Sequence, residues 1–299
     1  MNHTSGSKTN QKMEIFWTTL IVVTIIAVCL IMLYPFLFTL SASVSDPKSV
    51  IRNQVSFFPK GPLSFEGYKI LFKNERIWQG YANTIFYTIV GTMVNLALTI
   101  LAAYPMSRVG FQGYRFINIF VALTMFISAT GMMIPLYLVV RGMKLLDSRL
   151  AILIVFGAFP YYIILLRSFF QQMPEEMFEA ARLDGASEFT LLLKIVLPLS
   201  GAALATIGLY YGINRWNGYF WAMIFLRDET KHPLQVVLRE LIVLAAMGEE
   251  MDASLKRSNT NAEVIKYGAI VLATLPIAVI YPFIQKYFVK GAALGSVKG

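Results

Sequence analysis

Residues 210–221 hold the side chains best suited to bind a polar organic ligand in this sequence. Amide groups can bind the hydroxyls of such a ligand, and aromatic rings can pack against its apolar C–H faces. Asn214 and Asn217 are three residues apart, so they share one face of a helix. The candidate residues for this site are Tyr211, Asn214, Arg215, Trp216, Asn217, Tyr219 and Phe220.

The composition places the chain in a lipid bilayer. Apolar residues make up 57% of its 299 residues and charged residues only 14%, with a mean hydropathy of +0.60. A soluble domain carries about a quarter charged residues. The net charge of +9 is typical of cationic flanks that hold apolar helices in an anionic membrane.

Six segments are apolar over the length that a membrane-spanning helix needs. They are residues 15–40, 84–107, 116–140, 150–166, 201–226 and 267–284. The distribution of Lys and Arg over the short connections favours an orientation with both termini in the cytoplasm. The sequence therefore predicts an all-α polytopic membrane protein, with a six-span domain at residues 15–290 and cytoplasmic tails at residues 1–14 and 291–299.

Arg215 falls inside the fifth predicted span, where an arginine is costly unless it is paired or hydrated. One interpretation is that it faces a water-filled path and attracts a carboxylated ligand. The other is that it bonds to a neighbouring helix, while the aromatic residues around it form an interfacial belt.

The sequence lacks the patterns of an enzyme or of an ion-driven carrier. It has no G-x-x-x-x-G-K-[ST] phosphate loop, and His3 and His232 are far apart and have no metal-ligand neighbours. No catalytic or metal-binding residues are therefore predicted. All 17 acidic residues lie outside the centres of the predicted spans, although proton-driven carriers place such residues there. Uphill transport would then draw its energy from another subunit.

Residues 173–198 are predicted to form two short helices joined by a turn. Pro174 suits a first helical turn, Gly185 suits the left-handed position after a helix, and Ser187 can cap the second helix. Pro198 should end it. By periodicity alone, the segment is either a docking element for a partner or an amphipathic linker on the membrane surface.

Within this segment, Glu179-Ala180-Ala181, Gly185, Ile195 and Leu197-Pro198 match the pattern EAA-x3-G-x9-I-x-LP. The segment thus resembles the signature of permease subunits of ABC importers. In that family this loop, here residues 171–198 between spans four and five, contains the coupling helix that sits in a groove of the ATPase. The resemblance implies polar contacts from Glu179, close approach at the alanine pair and a turn at Gly185. The implied coupling residues are Glu179, Ala180, Ala181, Asp184, Gly185, Ile195, Leu197 and Pro198.

Other segments resemble the carbohydrate, or maltose-type, branch of these permeases, and within it the importers of complex oligosaccharides. They are Ser41-Ala-Ser-Val-Ser-Asp-Pro47, Asn83-Thr84, Ala103-Tyr-Pro-Met-Ser-Arg108, Ile134-Pro-Leu-Tyr137, Arg215-Trp-Asn217, Leu234-Gln235 and the ending from Tyr281 to Gly299. Many relatives have a His or a small residue at the position of Arg215. Because this chain differs there, the resemblance does not predict which sugar is transported.

The resemblance implies the type I ABC importer permease fold in a bacterial cytoplasmic membrane. It also implies the partners: a second homologous permease, two cytoplasmic ATPase subunits that hold ATP and Mg²⁺, and an extracellular solute-binding protein. Two other hypotheses remain at this stage. One is a secondary carrier or channel that needs no ATP, and the other is a membrane-embedded enzyme or scaffold.

Overall fold

The structure is a computed structural model that describes residues 5–108, 113–128, 130–251 and 256–296. For residues 5–12, 245–251, 256–262, 284 and 286–296, only the backbone is described. Of the two predicted tails, residues 1–4 and 297–299 lie outside the described part of the chain.

Every regular element of the described residues is helical. The α-helices are α1 (Ser5–Val44), α2 (Pro47–Ile51), α3 (Glu66–Lys73), α4 (Glu75–Ser107), α5 (Tyr114–Thr124), α6 (Met133–Gly142), α7 (Arg149–Ile154), α8 (Pro160–Gln171), α9 (Glu175–Leu183), α10 (Glu188–Leu191), α11 (Leu197–Leu199), α12 (Gly201–Trp216), α13 (Phe220–Phe225), α14 (Leu234–Met251) and α15 (Lys256–Ser296). A π-helical turn, Leu192–Val196, joins α10 to α11, and a 3₁₀ turn, Glu229–Lys231, precedes α14.

Three stretches of the described residues are long and apolar enough to cross a membrane as single helices. They are Met13–Val44, Glu75–Ser107 and Glu263–Phe283. The first two contain the first and second predicted spans, and the third contains the sixth except for its last residue. A fourth crossing is reached if Glu188–Leu199 and Gly201–Trp216, which meet at 83°, are counted together. The count of six spans therefore stays a prediction.

The third, fourth and fifth predicted spans are not continuous helices. Residues 116–140 are divided between α5 and α6, residues 150–166 between α7 and α8, and residues 201–226 between α12 and α13. Proline lacks the N–H that a helix interior needs and is tolerated in a first turn. Pro135 lies in the first turn of α6 and Pro160 is the first residue of α8, so new helices begin at these two points.

The chain forms two compact units, and the first comprises residues 1–73 and 241–272. In this unit Ala42, Val50, Val55 and Val264 form a small buried cluster. The Tyr68 hydroxyl donates a 2.9 Å hydrogen bond to Ser43 Oγ. In the most apolar window of Met13–Val44, no residue is buried within the chain. Such a surface requires lipid or another protein to cover it.

The second unit comprises residues 74–240 and 273–299, and α4 runs through its core. Helices α7, α8 and α12 pack against α4. Tyr87, Gly91, Asn95, Thr99 and Ala103 recur every four residues along α4, and all five are buried. Residues at this spacing share one helix face, so α4 presents a continuous and partly polar stripe to its neighbours.

The N-terminal half of α4 also positions the start of α14. Asn83 Nδ2 donates to the carbonyls of Thr230 at 2.8 Å and of His232 at 3.0 Å. The backbone N–H of Leu234 donates to Thr84 Oγ1 at 2.8 Å. A Cβ at Gly80 would lie 3.0 Å from Leu234 Cα, so the two backbones approach closely and a side chain at this position would be in tight contact with Leu234.

The Gly80→Ala substitution should therefore destabilise the second unit. The added methyl would press on the backbone of Leu234, and such overpacking costs about 1–3 kcal/mol. The matched control is Gly201→Ala, because a Cβ there meets nothing within 4 Å and alanine favours a helix. Thermal unfolding of the purified protein should show a lower midpoint for Gly80→Ala alone. Equal midpoints for Gly80→Ala and the wild type would contradict this packing.

Candidate functional site

The predicted two-helix segment is present, and its turn has the expected local geometry. Ser187 Oγ accepts a 3.2 Å hydrogen bond from the backbone N–H of Thr190 and thereby caps α10. Gly185 has a φ of +81°, in the region that other residues enter only with strain. These features turn the chain sharply between α9 and α10.

After α10 the helix widens before it bends. Pro198 offers no N–H to the carbonyl of Lys194, and its ring would clash with an α-helical carbonyl at that position. The residues before it, Leu192–Val196, form a π-helical turn, which is a common response to such a mismatch. The Glu188–Leu199 stretch then meets α12 at 83°, so the segment enters the fifth predicted span at a sharp corner.

Helix α9 has one face in the protein core and one face exposed. Phe178 is fully buried, and Ala181 packs against the same cluster as Leu166 and Phe170. Met177 and Leu183 are exposed, Leu183 at 89%. A leucine so exposed on a helix that is firmly packed on its other side indicates a surface for a partner.

The eight predicted coupling residues divide between these two environments. Glu179, Ala180, Asp184, Gly185 and Pro198 are exposed, whereas Ala181, Ile195 and Leu197 are half-buried and pack against the core. The alanine pair therefore has one residue available to a partner and one that fits α9 onto its own chain.

Arg108, the residue just after α4, holds α9 through contacts with Phe178 and Glu175. Its guanidinium carbon lies 3.7 Å from the centre of the Phe178 ring. Its NH2 group donates to the Phe170 carbonyl at 3.1 Å, and its NH1 group lies 3.6 Å from Glu175 Oε2. Arg108 is only 8% exposed, so its contacts with Phe178 and the Phe170 carbonyl are shielded from water, whereas the side chain of Glu175 is 46% exposed.

A second connection runs from α4 to α10. The Tyr104 hydroxyl donates a 2.7 Å hydrogen bond to Glu188 Oε2, and Arg182 bridges Glu188 and Glu175 at 3.1 and 3.3 Å. The Tyr104 hydroxyl, helped by Arg182, lowers the pKa of the Glu188 carboxyl. The resulting stabilisation is present above the unfolded-state pKa of this group and is lost as the pH falls through the lowered folded-state value.

A cavity of about 590 Å³ lies in the second unit, within the usual size range of ligand sites. Aromatic rings from the α7–α8 connection and from α12 and α13 form much of its wall. Tyr162 and Tyr210 stack with their ring centres 5.7 Å apart, and the Phe156 and Trp221 ring centres are 5.1 Å apart. Its lining also contains the predicted residues Asn214, Arg215, Asn217, Tyr219 and Phe220.

The other two predicted ligand residues do not line this cavity. Tyr211 is fully buried, and its hydroxyl is 2.6 Å from Thr99 Oγ1. Trp216 is 8% exposed, and its Nε1 donates to the Ala273 carbonyl at 3.2 Å. Both side chains face their own chain and serve its packing.

The sequence did not predict the aromatic residues outside 210–221 that line the cavity. Tyr87, Phe156, Phe159 and Tyr162 line the cavity but are distant in sequence from Asn214. The run of aromatic residues on both sides of Pro160 was the available signal for three of them.

Arg215 borders the cavity, but its guanidinium is bonded to its own chain. Nε donates to Asn95 Oδ1 at 2.8 Å, NH2 donates to the Leu153 carbonyl at 3.0 Å, and NH1 donates to the Ile152 carbonyl. Of the two interpretations offered by the sequence, these contacts match the one in which the arginine bonds to a neighbouring helix. No group of three or more His, Cys, Asp or Glu side chains in the described ranges is placed to hold a metal ion.

Known proteins resemble the chain over most of its length. Residues 78–293 match the family of binding-protein-dependent transport system inner membrane components. The polygalacturonan/rhamnogalacturonan transport system permease protein YtcP of Bacillus subtilis is 37% identical, over 90% of this chain and 94% of the relative. The arabinooligosaccharides transport system permease protein AraQ of Halalkalibacterium halodurans is 26% identical, over 91% and 93%.

A solved structure is similar as well. One chain of a bacterial ABC transporter involved in the import of the acidic polysaccharide alginate superimposes with a TM-score of 0.79, at 34% identity, over 96% of this chain and 99% of that one. The permease fold implied by the signature segment is thereby confirmed, and so is the family. The chain belongs to the inner membrane components of binding-protein-dependent ABC importers.

Proposed function

We propose that this chain is a permease subunit that forms half of the translocation path of an ATP-driven importer for acidic oligosaccharides. The observation that carries the proposal is the geometry of α9. Phe178 and Ala181 hold one face of the helix in the core, while Met177, Ala180 and Leu183 recur at three-residue spacing on the exposed face. An apolar face held this firmly can dock on another subunit and be moved by it as a rigid body.

The proposed topology has six spans with both termini in the cytoplasm. Residues 15–290 form the spanning domain, with tails at residues 1–14 and 291–299. In this topology the three helix pairs broken at or near proline or glycine count as one span each. The coupling loop, residues 171–198, then faces the cytoplasm, where an ATPase can reach α9.

The proposed partners supply the energy, the second half of the path and the delivery of the sugar. Two ATPase subunits bind ATP and Mg²⁺, a second permease completes the path, and an extracellular binding protein delivers the sugar. The chain itself is a non-catalytic subunit, because its sequence contains no phosphate loop. A carrier that works without ATP is disfavoured by the family to which the chain belongs.

The relatives and the cavity both support the proposed substrate class. YtcP is described as a permease for polygalacturonan and rhamnogalacturonan, and the structural neighbour as an importer of alginate, all of which contain uronic acids. The cavity lining includes Asn214, Asn217, Tyr162, Tyr210 and Tyr219, whose amide and hydroxyl groups are of the kinds that bind sugar hydroxyls. Its aromatic rings can pack on the apolar faces of the sugar rings.

Docking through α9 is tested by copurification of the tagged chain from native membranes. Glu179→Ala and Leu183→Asp should weaken or abolish recovery of the ATPase while the second permease is retained, because each changes the exposed face alone. The control is Glu66→Ala on α3, in a connection that the proposed topology places outside the cell. Unchanged ATPase recovery with both α9 variants would exclude α9 as the docking element.

The contacts between α4 and the coupling loop should matter for coupling more than for docking. Arg108→Gln removes the ion pair with Glu175 and the ring contact with Phe178. Transport per ATP hydrolysed should fall by about tenfold, since a buried charged hydrogen-bond partner is lost, while the ATPase still copurifies. Lys194→Gln, which changes an exposed cation of the same loop, should behave as the wild type. Normal coupling in Arg108→Gln would show that this anchor is dispensable.

The cavity is tested through Asn214, which is exposed to it. Asn214→Ala should raise the KM for oligosaccharide uptake roughly 2- to 10-fold, the effect of one lost hydrogen bond, with normal recovery of the complex. An unchanged KM, or a loss of assembly in place of uptake, would place the sugar path elsewhere.

A further inference from the structure

Around the connection between α7 and α8, five backbone groups are bonded by side chains and not along the main chain. At the end of α7, the Val155 N–H donates to the Ala151 carbonyl at 3.1 Å and the Gly157 N–H donates to the Ile154 carbonyl at 2.9 Å. The carbonyls of Ile152 and Leu153, between them, accept no main-chain bond, as is usual at a helix end. Beyond the break, the carbonyls of Phe156 and Gly157 and the N–H of Phe159 also lie outside any helix. In a membrane protein, each such group must find a partner within the protein or in a water-filled cavity.

Two helices supply the partners of these five groups from three side chains, one of which is bonded to a fourth. From α12, Arg215 donates to the carbonyls of Ile152 and Leu153. From α4, Asn95 Nδ2 donates at 2.7 Å to the carbonyls of both Phe156 and Gly157. The Tyr211 hydroxyl of α12 accepts from the Phe159 N–H at 3.0 Å and contacts Thr99 of α4.

These four side chains form a cluster of two bonded pairs, Arg215 with Asn95 and Tyr211 with Thr99. Arg215 Nε donates to Asn95 Oδ1, which fixes the orientation of the amide so that its NH₂ group points at the break. Asn95 and Thr99 are four residues apart on α4, and Tyr211 and Arg215 are four apart on α12, so each pair lies on one helix face. A Cβ at Gly91 would lie 2.9 Å from Arg215 Nε, and glycine at this position therefore makes room for the guanidinium.

The cluster also determines where the Phe156 ring lies. Phe156 has a φ of +60°, a conformation that a bulky residue adopts only when its surroundings enforce it. The Phe156 ring lies 5.1 Å from Trp221 and 6.1 Å from Phe159 between ring centres, in the wall of the cavity. The hydrogen bonds to the carbonyls before and after Phe156 fix its backbone, and they thereby fix the position of its ring in the cavity wall.

We infer that Arg215 and Asn95 are positioning residues, which hold the break between α7 and α8 and thereby keep Phe156 in the cavity wall. In this role Arg215 does not recognise the charge of an acidic sugar. The inference deepens the proposed function, because it assigns recognition at this site to the sugar ring and its hydroxyls. A sugar carboxylate would have to draw the guanidinium away from two carbonyls that then lack a donor, which is costly for buried groups.

The first test measures hydrogen–deuterium exchange of the purified complex without any substrate. Arg215→Gln and Asn95→Leu should accelerate exchange of the amides in residues 153–162, because the backbone around the break loses its partners. Arg141→Gln on α6, an exposed arginine, is the matched control and should leave the rates of these amides unchanged. Wild-type exchange rates in both cluster variants would overturn the inference.

The second test compares uptake of an oligogalacturonate with uptake of its methyl ester, each variant being normalised to the wild type for the same sugar. Arg215→Gln should lower both by the same factor, roughly tenfold, as expected when buried carbonyls lose a donor. Arg215→Lys should lose as much, since a single ammonium cannot reproduce the fork that spans Asn95 and two carbonyls. A loss confined to the acidic sugar, or its rescue by lysine, would show that Arg215 binds charge.

A double-variant cycle separates positioning from a general structural effect. If Arg215 acts through Phe156, Arg215→Gln should lower uptake less than about twofold in a Phe156→Ala background, since coupled residues are not additive. The full tenfold loss in that background would overturn the inference. If neither sugar is taken up by the wild type, the proposed substrate class fails, and the exchange experiment still decides the role of Arg215 and Asn95.

Discussion

The fold of the second unit depends on one requirement: backbone groups within a membrane protein must be hydrogen-bonded even where a helix is broken. Pro160 interrupts the fourth predicted span, and five backbone groups between residues 152 and 159 are bonded by side chains from α4 and α12. These two helices can approach closely because Gly91 has no side chain. The packing of α4 against α12, the aromatic cavity wall and the left-handed backbone at Phe156 all follow from satisfying this break.

Helix α4 connects this centre to the remaining functional elements of the second unit. Its N-terminal half holds the residues before α14 through Asn83 and Thr84, its middle holds the broken span, and its C-terminal end holds the coupling loop through Tyr104 and Arg108. A movement imposed on α9 by a docked subunit would therefore be passed to a rigid helix that borders the cavity. Packed interfaces of this kind move between discrete arrangements, which suits a transporter that alternates between two states.

The sequence predicted those features that are encoded locally. The turn at Gly185, the cap at Ser187 and the family itself could be inferred from a few residues at fixed spacing. Pro135 and Pro160 are also present in the sequence, but a span predicted from its apolar content gives single prolines little weight. Continuous spans are therefore predicted where the structure has helices that end and begin again. The partners of Arg215 could not be predicted, because two of them are backbone carbonyls some 60 residues away that become available only once the helix has ended. The burial of Tyr211 and Trp216 could not be predicted either, because their residue types suit a sugar site but they lie on helix faces that are packed within the protein.

A structure of the assembled transporter trapped with an acidic oligosaccharide is the most direct test of this account. The account predicts sugar density in the cavity, with a ring against Phe156 and Trp221, Arg215 still bonded to the carbonyls of Ile152 and Leu153, and the sugar carboxylates away from its guanidinium. A carboxylate bound to Arg215, with those carbonyls released, would contradict it. So would a sugar held outside this cavity altogether.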